Sequence, residues 1–206
     1  SQIKRLKRFL ISFFVFSMAV QTIMTMAQFF GTEAIDWSIG IDFSSIQETG
    51  VDKIEAVKSL MVKNRMETGM IISILVIQLI AIPGAMLFAR LSKTWGNIKV
   101  LIIALIIWIG ICASAYVVTT PIDFYILAAT VGFVMGGIQS LSRSTYSKFL
   151  PETEDHASYF SFYDVLEKIG MTIGIVSFGF LTGAFNIRYS VMALTVFFVI
   201  GLVLLL

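Results

Sequence analysis

The sequence is poor in cysteine, histidine and charge, and each shortage removes a class of function. Among its 206 residues, Cys112 is the only cysteine and His156 the only histidine. A single cysteine allows neither an intramolecular disulfide nor a cysteine-based metal site. The HExxH zinc pattern, a nucleophile elbow and a phosphate-binding glycine loop are also missing. We therefore expect no enzyme, no metal and no cofactor, and we expect His156 to be a solvated loop residue.

Charged residues make up 14% of the chain, and its formal net charge of +2 is too small to indicate a nucleic-acid partner. Hydrophobic residues make up 57%, which exceeds the apolar share of ordinary soluble domains. This composition indicates a multi-pass protein of the lipid bilayer. Spans of about 20 residues can cross about 30 Å of hydrocarbon as helices. Six stretches are long enough, namely residues 9–30, 68–88, 100–118, 124–141, 158–181 and 188–206.

Most lysine and arginine residues of the N-terminus and the short loops lie on one side of the predicted membrane. Short loops rich in lysine and arginine favour the cytoplasmic side of a membrane. The N-terminus and the second and fourth loops carry Lys4, Arg5, Lys7, Arg8, Arg90, Lys93, Lys99, Arg143 and Lys148. We expect both termini on the cytoplasmic side of the cell inner or plasma membrane. Arg143 would then be an anchor at the cytoplasmic end of its helix, with a gating role as the alternative.

The long loop of residues 31–67 lies on the opposite, extracytoplasmic side in this topology. Its segment Thr49-Gly-Val-Asp52 resembles a capping box, and Val51, Ile54, Val57 and Met61 follow at helical spacing. The pattern predicts an amphipathic helix lying on the outer face. Two interpretations stay open at this point: a surface helix packed over the ends of the spans, or a moving lid that gates a pathway.

Polar residues are unevenly shared among the six spans. Helices three and six are almost uniformly apolar and can face lipid, whereas the other four carry polar groups at membrane depth, including Gln21, Gln78 and Gln139. The order polar, polar, apolar occurs twice, which is typical of an inverted repeat of three plus three helices. Helix four also contains Gly132 and Gly136 at the four-residue spacing of a close-packing face. We therefore predict an all-α integral membrane fold with six transmembrane helices.

Helix five carries three charges, Asp164, Glu167 and Lys168, on the same side as Ser161 and Thr172. A charge at the bilayer centre costs about 2.5–3.5 kcal/mol even on the lenient insertion scale, so this side must face protein or a wet cavity. Asp164 and Lys168 have the i,i+4 spacing of an ion pair. The charges either form a static network that locks helix five to helices one, two and four, or serve a transported solute. In the second case Lys168 binds an anionic group or exchanges carboxylate partners.

Three segments resemble a known family. They are Gly136-Gly-Ile-Gln-Ser-Leu-Ser-Arg-Ser144, then Leu150-Pro151, then Phe160-Ser-Phe-Tyr-Asp-Val-Leu-Glu-Lys168. Together they resemble the C-terminal half of the vacuole-effluxer-like branch of the major facilitator superfamily. Val20-Gln21-Thr22 and Gln78-Leu-Ile-Ala-Ile-Pro-Gly84 are similar to that family's seventh and eighth helices. The resemblance implies half of a major facilitator fold and a permease for efflux or exchange of small solutes, with amino acids as the class for the eukaryotic relatives.

Two segments depart from the family pattern. The superfamily's cytoplasmic loop signature is only faintly echoed by Ala89-Arg-Leu-Ser-Lys-Thr-Trp-Gly-Asn-Ile-Lys99, with Lys93 in place of the acid. Helix one has Ser17-Met-Ala-Val20 where many relatives have Asn-Asp-Gly shortly before the glutamine. A proton-carrying carboxylate is therefore absent from helix one.

Residues 1–206 are accordingly interpreted as the C-terminal six-helix half of a secondary transporter. The expected partners are a missing N-terminal six-helix half, the bilayer and a small-molecule substrate. The expected pathway or gating residues are Gln21, Gln78, Gln139, Arg143, Asp164, Glu167 and Lys168. The chain begins with Ser1 and ends at Leu206 without a polar tail, so we expect a piece of a longer protein. The alternative is a non-transporting membrane scaffold or assembly module.

Overall fold

The computed structural model describes residues 2–44, 46, 51–150 and 156–206, and within them the chain is helical and contains no strand. All six helices in this part are long and apolar enough to cross a membrane. The helices are α1 Gln2–Ala34, α2 Val51–Trp95, α3 Asn97–Ala115, α4 Pro121–Phe149, α5 His156–Ala184 and α6 Ile187–Leu205. The prediction of six membrane-spanning helices is confirmed.

Helix α2 is much longer than its predicted span. Its 45 residues extend about 67 Å at 1.5 Å per residue, roughly twice the thickness of the hydrocarbon core. The segment 51–67, which we expected as a separate helix on the outer face, is instead the first part of α2, because the helical pattern continues without a break into the apolar span. Thr49 of the expected capping box lies outside the described residues.

The two ends of the bundle are identified by contacts between helix termini. At one end, Arg8 near the start of α1 donates a hydrogen bond to the Leu204 carbonyl at the end of α6 (2.9 Å). At the other end, Arg188 at the start of α6 donates to the Ala34 carbonyl at the end of α1 (2.7 Å). Helices α1 and α6 therefore run in opposite directions across the bundle.

The packing of the helices follows a two-fold pattern. Helix α1 packs against α5 and α6, and α4 packs against α2 and α3; α1 also contacts α4, and α3 contacts α6. Exchanging α1 with α4, α2 with α5 and α3 with α6 leaves these contacts unchanged, whereas the smaller α1–α2 contact has no counterpart between α4 and α5. The predicted three-plus-three repeat is therefore present in the helix packing.

Glycine residues bring the paired helices into backbone contact. A Cβ atom on Gly132 of α4 would lie 2.5 Å from the Ile77 carbonyl oxygen of α2, and one on Gly136 would collide with the Ala81 carbonyl. On the second pair, a Cβ on Gly174 of α5 would lie 2.5 Å from the Met18 carbonyl of α1. The predicted packing face of Gly132 and Gly136 is thus present, and α5 has a counterpart.

The helices differ in how much of their surface the bundle covers. In α2 and α5 only 17% of the most apolar window is buried, compared with 44% in α3 and 33% in α6. The helices expected to face lipid, α3 and α6, do expose apolar side chains such as Ile106 and Val203. The most open faces nevertheless belong to α2 and α5. Their exposed apolar residues include Leu75, Leu79, Ile82, Val165, Val176 and Phe180.

Candidate functional site

Five of the seven polar residues predicted from the sequence lie between α1, α4 and α5, namely Gln21, Gln139, Arg143, Asp164 and Glu167. The Gln21 side chain of α1 donates from Nε2 to Glu167 Oε1 of α5 at 2.5 Å. The close approach of α1 and α5 at Gly170 and Gly174, one and two turns further along α5, brings the two side chains within reach. The structure therefore joins Gln21 and Glu167 directly, a contact that spacing along the chain does not reveal.

Asp164 forms an ion pair with a different partner from the one we expected. The Arg143 guanidinium of α4 lies 2.6 Å from the Asp164 carboxylate, and both side chains are about half exposed. The predicted i,i+4 pair between Asp164 and Lys168 is wrong, because Asp164 reaches across to α4. Arg143 also lies 5.7 Å from the centre of the Tyr163 ring. Arg143 thus connects α4 to α5 and is more than an anchor at a helix end.

The space between α1, α4 and α5 is nearly filled. It encloses a cavity of about 10 Å³, which is about the volume that one water molecule needs. Its lining includes Gln21, Gln139, Ser142, Tyr163 and Glu167. The three helices therefore form a closed polar contact here, and a solute does not fit between them in this arrangement.

A larger cavity lies between α1, α2 and α4. Its volume is about 160 Å³, and its polar lining consists of Gln28, Ser73 and Gln78 among apolar side chains. Carboxamides offer both hydrogen-bond donors and acceptors. Gln139 is separated from this cavity by Met24, whose sulfur lies 3.3 Å from Gln139 Nε2 and which lines the cavity. Gln78 lines this cavity, whereas Gln21 and Glu167 line the smaller one. The structure therefore does not bring Gln78 together with Gln21 or Glu167.

Lys168 lies on the open face of α5 and is exposed. Among the described residues it forms no ion pair and its ammonium no hydrogen bond; its backbone carbonyl accepts from Thr172 Oγ1 at 3.0 Å. Lys168 lies about 18 Å along α5 from His156, near the middle of a span. Exposure of this ammonium to lipid would be costly. The open face of α5 at this depth is therefore suited to protein or water.

Sequence reasoning missed Tyr163 as a member of this cluster. Its ring stacks on Phe13 of α1 with centroids 4.2 Å apart, and it lies 4.9 Å from the Tyr146 ring of α4. Tyr163 precedes Glu167 by four residues, so both side chains project from the same face of α5. The four-residue spacing between Tyr163 and Glu167 predicts this shared face from the sequence, although Tyr163 carries no charge.

A family model described as "Vacuole effluxer Atg22 like" matches residues 45–206. The match covers well over half of the chain. The chain belongs to the vacuole effluxer Atg22-like family.

Curated relatives agree with this assignment. The chain is 30% identical over 208 residues to the "Uncharacterized MFS-type transporter YxiO" of Bacillus subtilis, covering 99% of the chain and 41% of YxiO. It is 35% identical over 80 residues to Autophagy-related protein 22 of Eremothecium gossypii, covering 38% of the chain and 16% of that protein. The corresponding protein of Kluyveromyces lactis is 32% identical over 81 residues, covering 39% of the chain and 16% of that protein. No solved structure matches the chain.

The matched part of this Atg22-like chain therefore covers less than half the length of YxiO and about one sixth of the length of each fungal protein. Residues 89–99, where the chain departs from the family pattern, contact α4 at and just after the end of the resembling segment 136–144. Buried Asn97 donates from Nδ2 to Ser144 Oγ (3.2 Å) and Thr145 Oγ1 (3.1 Å). Lys148 donates to the Asn97 side-chain carbonyl (2.9 Å). In this Atg22-like chain an amide network thus joins the start of α3 to the end of α4.

Proposed function

We propose that the chain is the C-terminal six-helix half of a secondary transporter of the major facilitator superfamily, which moves a small solute by alternating access. The observation that carries this proposal is Lys168, an exposed cation that has no ion-pair partner among the described residues and lies on α5, one of the two least covered helices. Membership of the effluxer family and the 41% coverage of YxiO support it.

The second half of the transporter would cover the open faces of α2 and α5. These two helices are exchanged by the two-fold repeat, and each exposes apolar residues along much of its length. A lipid environment suits the apolar residues of α5 but is costly for Lys168 between them. A partner half that leaves a wet central pathway suits both, since the apolar residues pack at its margins and the ammonium stays hydrated.

The substrate in this proposal is a small solute with an anionic group, such as an amino acid or a related metabolite. Lys168 would attract the anionic group. The carboxamides of Gln28 and Gln78 in the cavity between α1, α2 and α4 would supply neutral hydrogen bonds. Gln21, Gln139, Arg143, Asp164 and Glu167 would control the pathway by holding α5 against α1 and α4.

The orientation follows from the distribution of basic residues. The end of the bundle that contains Arg8 and Leu204 also carries most lysines and arginines of the short connections, which favours the cytoplasm. Both termini would then be cytoplasmic, in the cell inner or plasma membrane. The first part of α2 would project on the opposite side.

One observation favours the alternative of a non-transporting scaffold. The space between α1, α4 and α5 is almost closed, and the carboxylates beside it, Glu167 and Asp164, are bound to Gln21 and Arg143, as in a network that only locks helices together. Lys168 distinguishes the transporter from the scaffold, because among the described residues its ammonium takes no part in the network that locks the helices.

The test replaces Lys168 by Met in the complete protein, reconstituted in liposomes with a panel of radiolabelled amino acids. We expect uptake to fall at least about tenfold, the effect of losing about 1.4 kcal/mol of solute interaction, with the unfolding temperature unchanged. Lys168→Arg should retain part of the uptake because it keeps the charge. Lys93→Met, at the exposed end of α2, is the matched control and should transport normally. Normal uptake by Lys168→Met would contradict the assigned role.

A further inference from the structure

The two carboxylates on the inner part of α5 have different kinds of partner. Asp164 faces a cation, the Arg143 guanidinium, at 2.6 Å. Glu167, one turn further into the membrane, is half-buried and faces a neutral carboxamide, Gln21, at 2.5 Å. The difference matters because the partner of a carboxylate decides which protonation state is favoured.

A cationic partner stabilises only the ionised form of a carboxylate. Arginine has donors and no acceptor, so a protonated Asp164 would lose its ion pair and gain nothing from the guanidinium. Glutamine carries both an NH₂ donor and a carbonyl acceptor on one rotatable group. Gln21 can therefore donate to an ionised Glu167, or accept the O–H of a protonated Glu167 after its amide rotates.

Among the described residues, no other charged side chain neutralises a negative charge on Glu167. On α1 the charged side chains, Lys4 to Arg8 and Glu33, lie near the ends of the helix, far from Gln21. On α4 the nearest cation, Arg143, is already paired with Asp164. On α6, which also packs against α5, the one charged residue is Arg188, which lies in the first turn and donates to the end of α1.

On α5 itself Tyr163 and Asp164 lie one turn before Glu167, and Lys168 follows it directly. No ion pair joins Glu167 to Lys168 among the described residues, and Lys168 is directed to the exposed face. Within the part of the chain that the structure describes, a negative charge on Glu167 is thus held by one neutral hydrogen bond in a largely apolar span. Uptake of a proton removes that cost.

We propose that Glu167 is a proton-binding site in which Gln21 serves as the hydrogen-bond partner of both the carboxylate and the acid. On protonation, a proton from solvent bonds to a carboxylate oxygen of Glu167, the negative charge disappears, and the Gln21 carbonyl accepts the new O–H. On release the proton returns to solvent and the Gln21 NH₂ donates again. No other reactant is consumed.

This site gives the proposed transporter a coupling ion. Glu167 holds α5 against α1, and its immediate neighbour Lys168 is the proposed contact for the solute. A change of charge at Glu167 therefore alters both the contact between the two helices and the electrostatic potential at Lys168. This consequence rests on the proposed transport function, whereas proton binding itself is measured without transport.

The test is infrared difference spectroscopy of the complete protein in nanodiscs while the pH is lowered. A protonated carboxylic acid in an apolar setting gives its own carbonyl band. We expect that band in the wild type, its loss in Glu167→Gln, which keeps the side-chain shape and a hydrogen bond to Gln21, and its persistence in Asp164→Asn. A wild type without the band, or a band that survives in Glu167→Gln, would overturn the proposal.

A second variant tests the role of the partner. Gln21→Lys places a cation where the carboxamide stands, so the ionised form of Glu167 should be favoured and the band should be weaker than in the wild type at the same pH. A band of wild-type intensity in Gln21→Lys would show that Gln21 is not the partner. Solute uptake by the same samples is recorded separately, so failure of transport leaves the result on proton binding readable.

Discussion

The 2.6 Å ion pair between Arg143 and Asp164 joins α4 to α5, two helices that meet through their side chains. A second hydrogen bond between them, from the Tyr146 hydroxyl to the Tyr159 carbonyl (2.8 Å), lies at the same end of the bundle. Both bonds thus hold α4 to α5 at this end. The pair is placed to control how far the two helices separate there.

Neutralising one member of this pair should cost more than neutralising both. We expect Asp164→Asn to lower stability by about 1 kcal/mol, the upper range for half-exposed pairs, which corresponds to about 2–4 °C in a chain of this size. The double variant Asp164→Asn with Arg143→Gln should recover part of that loss because no charge is left without a partner. Thermal unfolding in detergent measures both. Additive losses in the double variant would mean that the two side chains do not interact.

The glycine contacts between α2 and α4 should not tolerate a methyl group. Gly132→Ala and Gly136→Ala place a Cβ against backbone carbonyls of α2, so each should destabilise by about 1–3 kcal/mol. Gly110→Ala and Gly179→Ala are matched controls, since a Cβ there meets nothing within 4 Å. These controls should be neutral or stabilising by about 0.5–1 kcal/mol, because alanine restricts the unfolded chain. Equal changes in stability in the test variants and the control variants would argue against backbone contact between α2 and α4.

Arg188 should stabilise the end of the bundle that is opposite the Arg143–Asp164 pair. Its guanidinium donates to the carbonyls of Tyr116 (2.6 Å), Ala34 (2.7 Å) and Ala115 (3.4 Å). We expect Arg188→Met to lower the unfolding temperature, since each charged hydrogen bond contributes about 1.5–3 kcal/mol.

Arg188→Lys should recover only part of that loss, because one ammonium group cannot reproduce the planar fork that reaches carbonyls of two helix ends. Arg90→Met, at an exposed position of α2 without a side-chain hydrogen bond among the described residues, should leave the unfolding temperature unchanged. A loss of the same size in Arg90→Met would assign the effect to charge alone.

The two ends of α2 should be accessible from opposite sides of the membrane. Ser59 and Thr94 are exposed residues of this one helix and lie about 50 Å apart along it, farther than the hydrocarbon thickness. Single cysteines at these positions, in a Cys112→Ser background, should react with an impermeant thiol reagent from opposite sides. Labelling of both from one side would contradict the path of α2 through the bilayer.

The sequence by itself determined the number of spans, their approximate places and the two-fold order of polar and apolar helices. The sequence is sufficient for this because a helix that crosses hydrocarbon needs about 20 consecutive apolar residues. This requirement concerns each segment's own composition and does not depend on which other helices it contacts. The close-packing role of Gly132 and Gly136 was also readable, since small residues at four-residue spacing form a flat face on any helix.

Only the tertiary structure decided which partner each polar side chain takes. The i,i+4 spacing favoured Asp164 with Lys168, yet Asp164 reaches Arg143, Glu167 reaches Gln21 and Lys168 stays exposed. Gln78 belongs to a separate cavity although its depth matches that of Gln21. The reason is geometric: spacing sets which residues share a face of one helix, whereas a contact between helices depends on their rotation and separation. Glycines of α4 and α5 help to set both, because they let these helices approach the backbones of α2 and α1.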